Sequence, residues 1–214
     1  MAVNLIPDHD WGPVDFAGGA LCLNFTNTRG GHHKIRENDR LASYGDMLRF
    51  ALAANAVDAR EAAALQKLMR SKPKEAAQRL EEARAFREAL SGVLAALVIG
   101  HEAKAEPPAT DLSRMREAMS KAIAEAKLSL QDGAFAWSLD LETLGLGLIL
   151  ARVALSAQQF LTQESPSRIR QCERCTGFYL DTSKNQRRRW CTPDICGNRT
   201  RASRHYEKIK TTGS

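Results

Sequence analysis

The chain has 214 residues, 43% apolar and 26% charged, with 31 Lys and Arg against 25 Asp and Glu, a formal charge of +6. This composition fills one good core, or a core plus a small module, and 14 Gly with 7 Pro argue against long disorder. No apolar run reaches the ~18 residues of a membrane span, and Met1–Asp15 lacks the apolar segment of a secretory leader, so a cytoplasmic chain is expected.

Trp11–Arg29 reads as loop and short extended pieces, with Leu21–Phe25 alternating weakly at period two. Asn38 or Asp39 is placed to cap a helix whose apolar face holds Leu41, Tyr44, Leu48 and Leu52. Asp58 caps the next, striped by Ala62, Leu65, Leu68 and Met69, and Pro73 suits the first turn of a long helix through Leu80, Leu90 and Leu97. After a loop containing Pro107 and Pro108, Asp111 is placed to cap a helix through Met115 and Met119. The period then changes. Leu128 and Leu130 precede the turn dipeptide Asp132-Gly133, and Phe135, Trp137 and Leu139 follow it, which predicts a β-hairpin with one aromatic face. Asp140–Phe160 returns to helix, apolar around most of its circumference and therefore the expected centre of the body, with Gly145 and Gly147 allowing close helix contact. Ser165-Pro166-Ser167 marks a seam between a body, 1–165, and a tail, 166–214.

Charge is concentrated in the tail, where 12 Lys and Arg face 4 Asp and Glu, a formal +8, whereas the body is close to neutral. A basic module on a neutral body points to a polyanion partner. Four of the five cysteines lie in the tail as Cys172-x2-Cys175-x15-Cys191-x4-Cys196. Two close pairs of soft ligands suit one tetrahedral zinc, and four thiolates leave no open position, so the metal is read as structural. A redox Cys-x-x-Cys lacks its βαβ context, and an iron–sulfur centre is the remaining metal alternative. Between the pairs, Gly177–Leu180 and Arg187–Trp190 read as two strands around an Asp/Asn/Ser turn, and Thr192-Pro193 as the start of a helix carrying Cys196. Phe178, Tyr179, Leu180 and Trp190 are the expected core of this module, and Cys22 is expected to be a core thiol.

Cys191–Arg199, read with Arg187-Arg188-Arg189-Trp190, Cys172-x-x-Cys175 and Phe178–Ser183, resembles the CGNR zinc finger, which takes its name from the tetrapeptide Cys196-Gly197-Asn198-Arg199. Leu21–Thr28 resembles the start of the ABATE domain usually fused to that finger and described as a stress-induced transcription regulator, with Asn24 standing where an acidic residue is expected. The resemblance implies a regulator that binds DNA through the finger. The fold expected is α+β: a mostly helical body with a small antiparallel sheet, plus a C-terminal treble-clef-like four-cysteine zinc finger.

Candidate nucleic-acid contacts are Arg187, Arg188, Arg189, Asn198, Arg199, Arg201, Arg204 and Lys208, with Arg201, Arg204 and Lys208 sharing one helical face. At least one of the three consecutive arginines is expected to clip the module to itself or to the body. Residues beside a ligating cysteine often tie down neighbouring turns, so Asn198 and Arg199 also carry a structural reading. Asn24, Asn27, Thr28 and Arg29 form a polar group that is a candidate pocket for a small-molecule effector, or that caps loop backbone. The His32-His33 pair lacks zincin spacing, and no P-loop, dinucleotide fingerprint or nucleophile elbow is present, so the chain is read as not an enzyme. Double-stranded DNA is the leading partner, a homodimer would strengthen binding by so small a module, and the competing readings are a protein-interaction adaptor and an RNA-associated protein.

Overall fold

The structure is a computed structural model and describes residues 3–203 except His33, Lys104 and Asp132. It is α+β. The helices are α1 (Leu21–Thr26), α2 (Tyr44–Ala53), α3 (Ala59–Ser71), α4 (Pro73–Ala103), α5 (Ala109–Glu125), α6 (Leu141–Leu144) and α7 (Leu148–Gln163). Three small sheets accompany them. The first is mixed: β3 (Asn38–Asp39) pairs parallel with β1 (Asn4–Leu5) and antiparallel with β2 (Arg29–Gly30). The others are antiparallel hairpins, β4 (Lys127–Gln131) with β5 (Ala134–Ser138), and β6 (Ile169–Gln171) with β7 (Phe178–Leu180).

Several sequence expectations hold. Asp58 caps α3 in a capping box, its side chain accepting from Glu61 N–H at 2.7 Å while Glu61 returns a bond to Asp58 N–H at 3.1 Å. Pro73 opens α4. The hairpin falls where the period changes, with Leu128 opposite Trp137 and Leu130 opposite Phe135, although Asp132 of its turn lies outside the described residues.

Others are corrected. Leu21–Phe25 is helical, because its apolar side chains are needed on one side: Cys22, Leu23 and Phe25 are fully buried. Helix α2 is capped by Ser43 in a box with Asp46, and Asn38 and Asp39 are strand residues. Asp111 lies in the first turn of α5, which follows Pro108. The 140–160 segment is broken. Gly145 has φ +50°, a left-handed conformation open to glycine, and a short 3₁₀ turn separates α6 from α7. Gly145 therefore serves the break and not helix–helix contact; a Cβ there would meet nothing within 4 Å.

Helix α7 is the centre of the body. Leu148, Ile149, Val153, Ala154 and Ala157 are fully buried, and α1 and α5 pack against it. The stretch Leu141–Gln163 is long and apolar enough to cross a membrane by composition, a match that the core helix of a folded domain also makes. Cys22 faces this core, and burial pushes its thiol pKa up to about 12. Arg152 on α7 forks onto Glu61 of α3 at 2.6 Å through both nitrogens and donates to Ala56 O and Leu139 O, tying three segments to the central helix.

The buried charges Arg87, Asp39 and Asp46 of the body are paired. Arg87 on α4, 1% exposed, grips Asp39 of β3 through two bonds of 2.7 and 2.5 Å and donates to Thr28 Oγ1 at 3.0 Å. Asp39 also accepts from Leu41 N–H. Burial alone would raise the Asp39 pKa, but the guanidinium and these hydrogen bonds hold it below the ordinary carboxylate value. Around this pair, Glu88 receives Arg29, Arg36 and Arg87. Removing one partner leaves an uncompensated buried charge, so Asp39→Asn is expected to cost about 3–5 kcal/mol in a urea titration. Because the folded pKa is depressed, the contribution of Asp39 is present above its unfolded pKa near ~3.9 and is lost as pH falls through the lower folded value. Acid titrations of the wild type and Asp39→Asn should therefore converge as pH falls below the depressed folded value of Asp39.

Candidate metal centre and nucleic-acid interface

The tail begins with a short 3₁₀ turn at Pro166–Arg168 and enters β6. Cys172 follows that strand, Cys175 closes the tight turn, and β7 returns along β6. The knuckle thus sits at the tip of a β6–β7 hairpin, correcting the expectation that β7 pairs with 187–190. Residues 187–190 are not a strand; they return as a loop fastened by Glu173 N–H to Arg189 O at 3.0 Å.

That loop is shaped by Asp181, which is fully buried. One carboxylate oxygen accepts from Ser183 N–H at 2.9 Å and Ser183 O–H at 2.6 Å, and the other from Arg188 N–H at 3.0 Å. Burial opposes the charge, yet these bonds keep the Asp181 pKa below its ordinary value. Pro193–Gly197 then forms a π-helical turn preceded by Thr192, as expected for the start of this helix, and continues as helix through 198–203.

The four sulfurs of Cys172, Cys175, Cys191 and Cys196 lie within 4.8 Å of one another. Cys175 to Cys191 is 3.6 Å and Cys191 to Cys196 is 3.7 Å. A disulfide needs ~2.05 Å. A tetrahedron with Zn–S bonds of ~2.3 Å has edges of about 3.8 Å, which these separations match. The chemistry of the donor set agrees. Without a cation, sulfurs this close cannot all ionise: Cys172 is driven far down by S–H donation from Cys175, while Cys175 and Cys196 are driven far up by giving their protons to it. A divalent ion lets all four be thiolates. The donor set fits one structural zinc.

Packing around the sulfurs explains the local sequence. Tyr179 is buried against them, and its hydroxyl donates to Arg188 O at 2.5 Å. Trp190 closes over Gly197, where a Cβ would stand 3.3 Å from the indole, so the glycine after Cys196 permits a close approach. Phe178 and Leu180, expected to be part of a separate module core, instead point into the body, because alternate residues of a strand face opposite ways.

The body holds the finger along a continuous seam. The Asn27 side chain accepts from Phe178 N–H and donates to Phe178 O, both at 2.8 Å, as a further strand would. Gly31 N–H donates to Thr176 Oγ1, and His32 bridges to Cys175. Lys34 Nζ donates to Cys172 O, Leu180 N–H to Gly18 O, and Arg188 to Ala17 O.

The polar group Asn24–Arg29 is therefore dispersed. Asn24 accepts from Gly18 N–H, Thr28 is buried beside Arg87, and Arg29 pairs with Glu88. Asn27 alone of the four lines a cavity of about 290 Å³ at the seam, together with His32, Arg40, Cys175, Cys191 and Arg199.

The basic candidates also divide. Arg188 lies over the Tyr179 ring at 4.4 Å and donates to Trp190 O and Cys191 O, so it is the internal clip. Asn198 ties its own turn by donating to Asp194 O at 2.6 Å and accepts from Arg201. Arg199 reaches His32 of the body at 3.1 Å. Arg189 is exposed and forks onto Glu173 at 2.6 and 2.5 Å. Arg187 is exposed, with no side-chain partner among the described residues. Arg204 and Lys208, like His33, lie outside the described residues. Sequence reasoning missed Lys34 and Thr176 as seam residues, and nothing local marks them. Asp181 carried a readable signal in the Asp-x-Ser spacing of an Asx turn.

Compared with known families, residues 19–164 match ABATE, described as "Putative stress-induced transcription regulator". The chain belongs to the ABATE family. Residues 168–208 match the CGNR zinc finger, whose cysteines are the four gathered here. No curated protein matches the chain.

Zinc-loaded protein should contain one zinc per chain by elemental analysis, and Cys172→Ser should abolish stoichiometric binding. Because β6 and β7 share the core of the body, zinc removal should also lower the melting temperature of the whole chain in one transition. Asn27→Ala leaves two backbone groups of β7 unpaired, at a cost of about 1–3 kcal/mol, and should speed zinc transfer to a chromogenic chelator.

Proposed function

We propose that the chain is a DNA-binding transcription regulator, with 166–214 as the DNA-contacting unit and 1–165 as the effector or interaction unit. The observation that carries the reading is the set of exposed arginines on the metal-supported segment. Arg187, on the loop before Cys191, and Arg201, on the helix after Cys196, are exposed, on a segment of formal charge +8. Arg204 and Lys208 follow Arg201 by three and seven residues in sequence. Such charges meet phosphates and supply affinity with little sequence information. Arg188 and Asn198 are occupied in holding the finger together, and Arg199 faces the body. Arg189 would have to exchange Glu173 for a phosphate. The regulatory and zinc-finger families that match support this assignment, and neither is named for a reaction. A regulator of this kind acts in the cytoplasm, on the nucleoid. RNA is the weaker reading: Phe178 and Tyr179 are buried and Trp190 is half-buried, which leaves no well-exposed aromatic for base stacking among the described residues of the tail. An effector would be sensed in the seam cavity, where Arg40, His32 and Arg199 suit an anion and a ligand would touch body and finger at once.

The test is a salt titration on duplex DNA. Arg187→Ala with Arg201→Ala should weaken binding similarly on all sequences and flatten log K against log salt by about 2. An unchanged slope in a zinc-loaded, folded double variant would remove this surface from the interface and favour the adaptor reading.

A further inference from the structure

The β4–β5 hairpin is built inside out for a hairpin of an isolated chain. Leu128 lies opposite Trp137, and Leu130 opposite Phe135. Residues two apart along a strand share a face, so all four large apolar side chains form one rectangle, while Ser129 and Ala136 occupy the other face. That rectangle is open to solvent: Phe135 is 74% exposed, Leu130 65%, Leu128 55% and Trp137 49%. The helical core, by contrast, buries its large apolar residues almost completely. Among the described residues the two strands pack mainly on each other. A lone two-stranded hairpin is marginal in water, and contiguous exposed apolar patches of several hundred Å² mark interaction sites.

We propose that this face is the dimer interface of the protein and that its occupant is the same face of a second copy. The area is sufficient. At these exposures two aromatics and two leucines leave roughly 450–500 Å² of apolar surface on each copy, so a face-to-face pair buries on the order of 1,000 Å², the lower bound of a specific interface. The arrangement is self-complementary. Both leucines lie on β4 and both aromatics on β5. A two-fold axis parallel to the strands, midway between two hairpins about 10 Å apart, sets the leucine strand of one copy against the aromatic strand of the other. None of the four side chains is charged, so no like-charge contact is created across the axis.

Sedimentation equilibrium of the zinc-loaded full chain tests this without DNA, so failure here leaves the regulator reading standing. The wild type is expected to dimerise with a Kd on the order of 10 µM or tighter. Phe135→Ser should raise that Kd at least about tenfold with helix content and zinc stoichiometry unchanged. Leu130→Gln, a smaller change on the same face, gives a second reading should Phe135→Ser fold poorly, and is expected to act in the same direction. A wild type that stays monomeric up to about 100 µM overturns the proposal, whether or not it binds lipid vesicles or another protein. So does a folded Phe135→Ser or Leu130→Gln variant as dimeric as the wild type.

Discussion

Strand β7 is asked to do two things at once, and the alternation of its side chains lets it. Phe178 and Leu180 enter the core built around α7, while Tyr179 between them packs on the sulfur cluster. Asn27 fixes the register by bonding both backbone groups of Phe178. A slip of one residue would turn Tyr179 into the body and two apolar side chains onto the metal, so the hydrogen-bonded amide and the metal enforce the same alignment. The finger is thereby mounted on the body and not merely tethered to it.

The body supplies a mount rigid enough to matter. The segment that carries Asn27 also carries Thr28, held by the buried Arg87–Asp39 pair, and Arg29, held by Glu88. Ion pairs of this kind stabilise little in net, but they tolerate few alternative geometries because an unpaired buried charge is costly. Their effect is to place a short helix and the turn after it where β7 can dock.

Much of this was legible locally. The cysteine spacing, the capping box at Asp58, Pro73 and the period-two hairpin all depend on residues close in sequence, and each feature lies where the pattern put it. Three of the misreadings share one physical source. Leu21–Phe25 became helix, Asp39 left its capping role, and Phe178 and Leu180 turned to the body because partners more than forty residues away decided their conformation. Arg188 offers a second lesson. In sequence it is indistinguishable from Arg187 and Arg189, yet only its side chain meets the Tyr179 ring and the carbonyl oxygens of Trp190 and Cys191. Charge runs reveal a basic surface but not which member is spent on holding it together.

The span between Asn27 and Phe178, 151 residues, bears on how the chain is made. On a ribosome the face of α1 that receives β7 is synthesised long before the strand that covers it. Closing so long a loop is entropically demanding and slow compared with forming the helices, so the body spends its nascent life with a greasy socket open. The segment that plugs it is flanked by metal ligands, Cys172 and Cys175 before it and Cys191 and Cys196 after it. Metal capture and burial of the socket therefore both wait until the segment from Cys172 to Cys196 has been made. A message truncated anywhere before residue 178 would yield a body that cannot hide its own core.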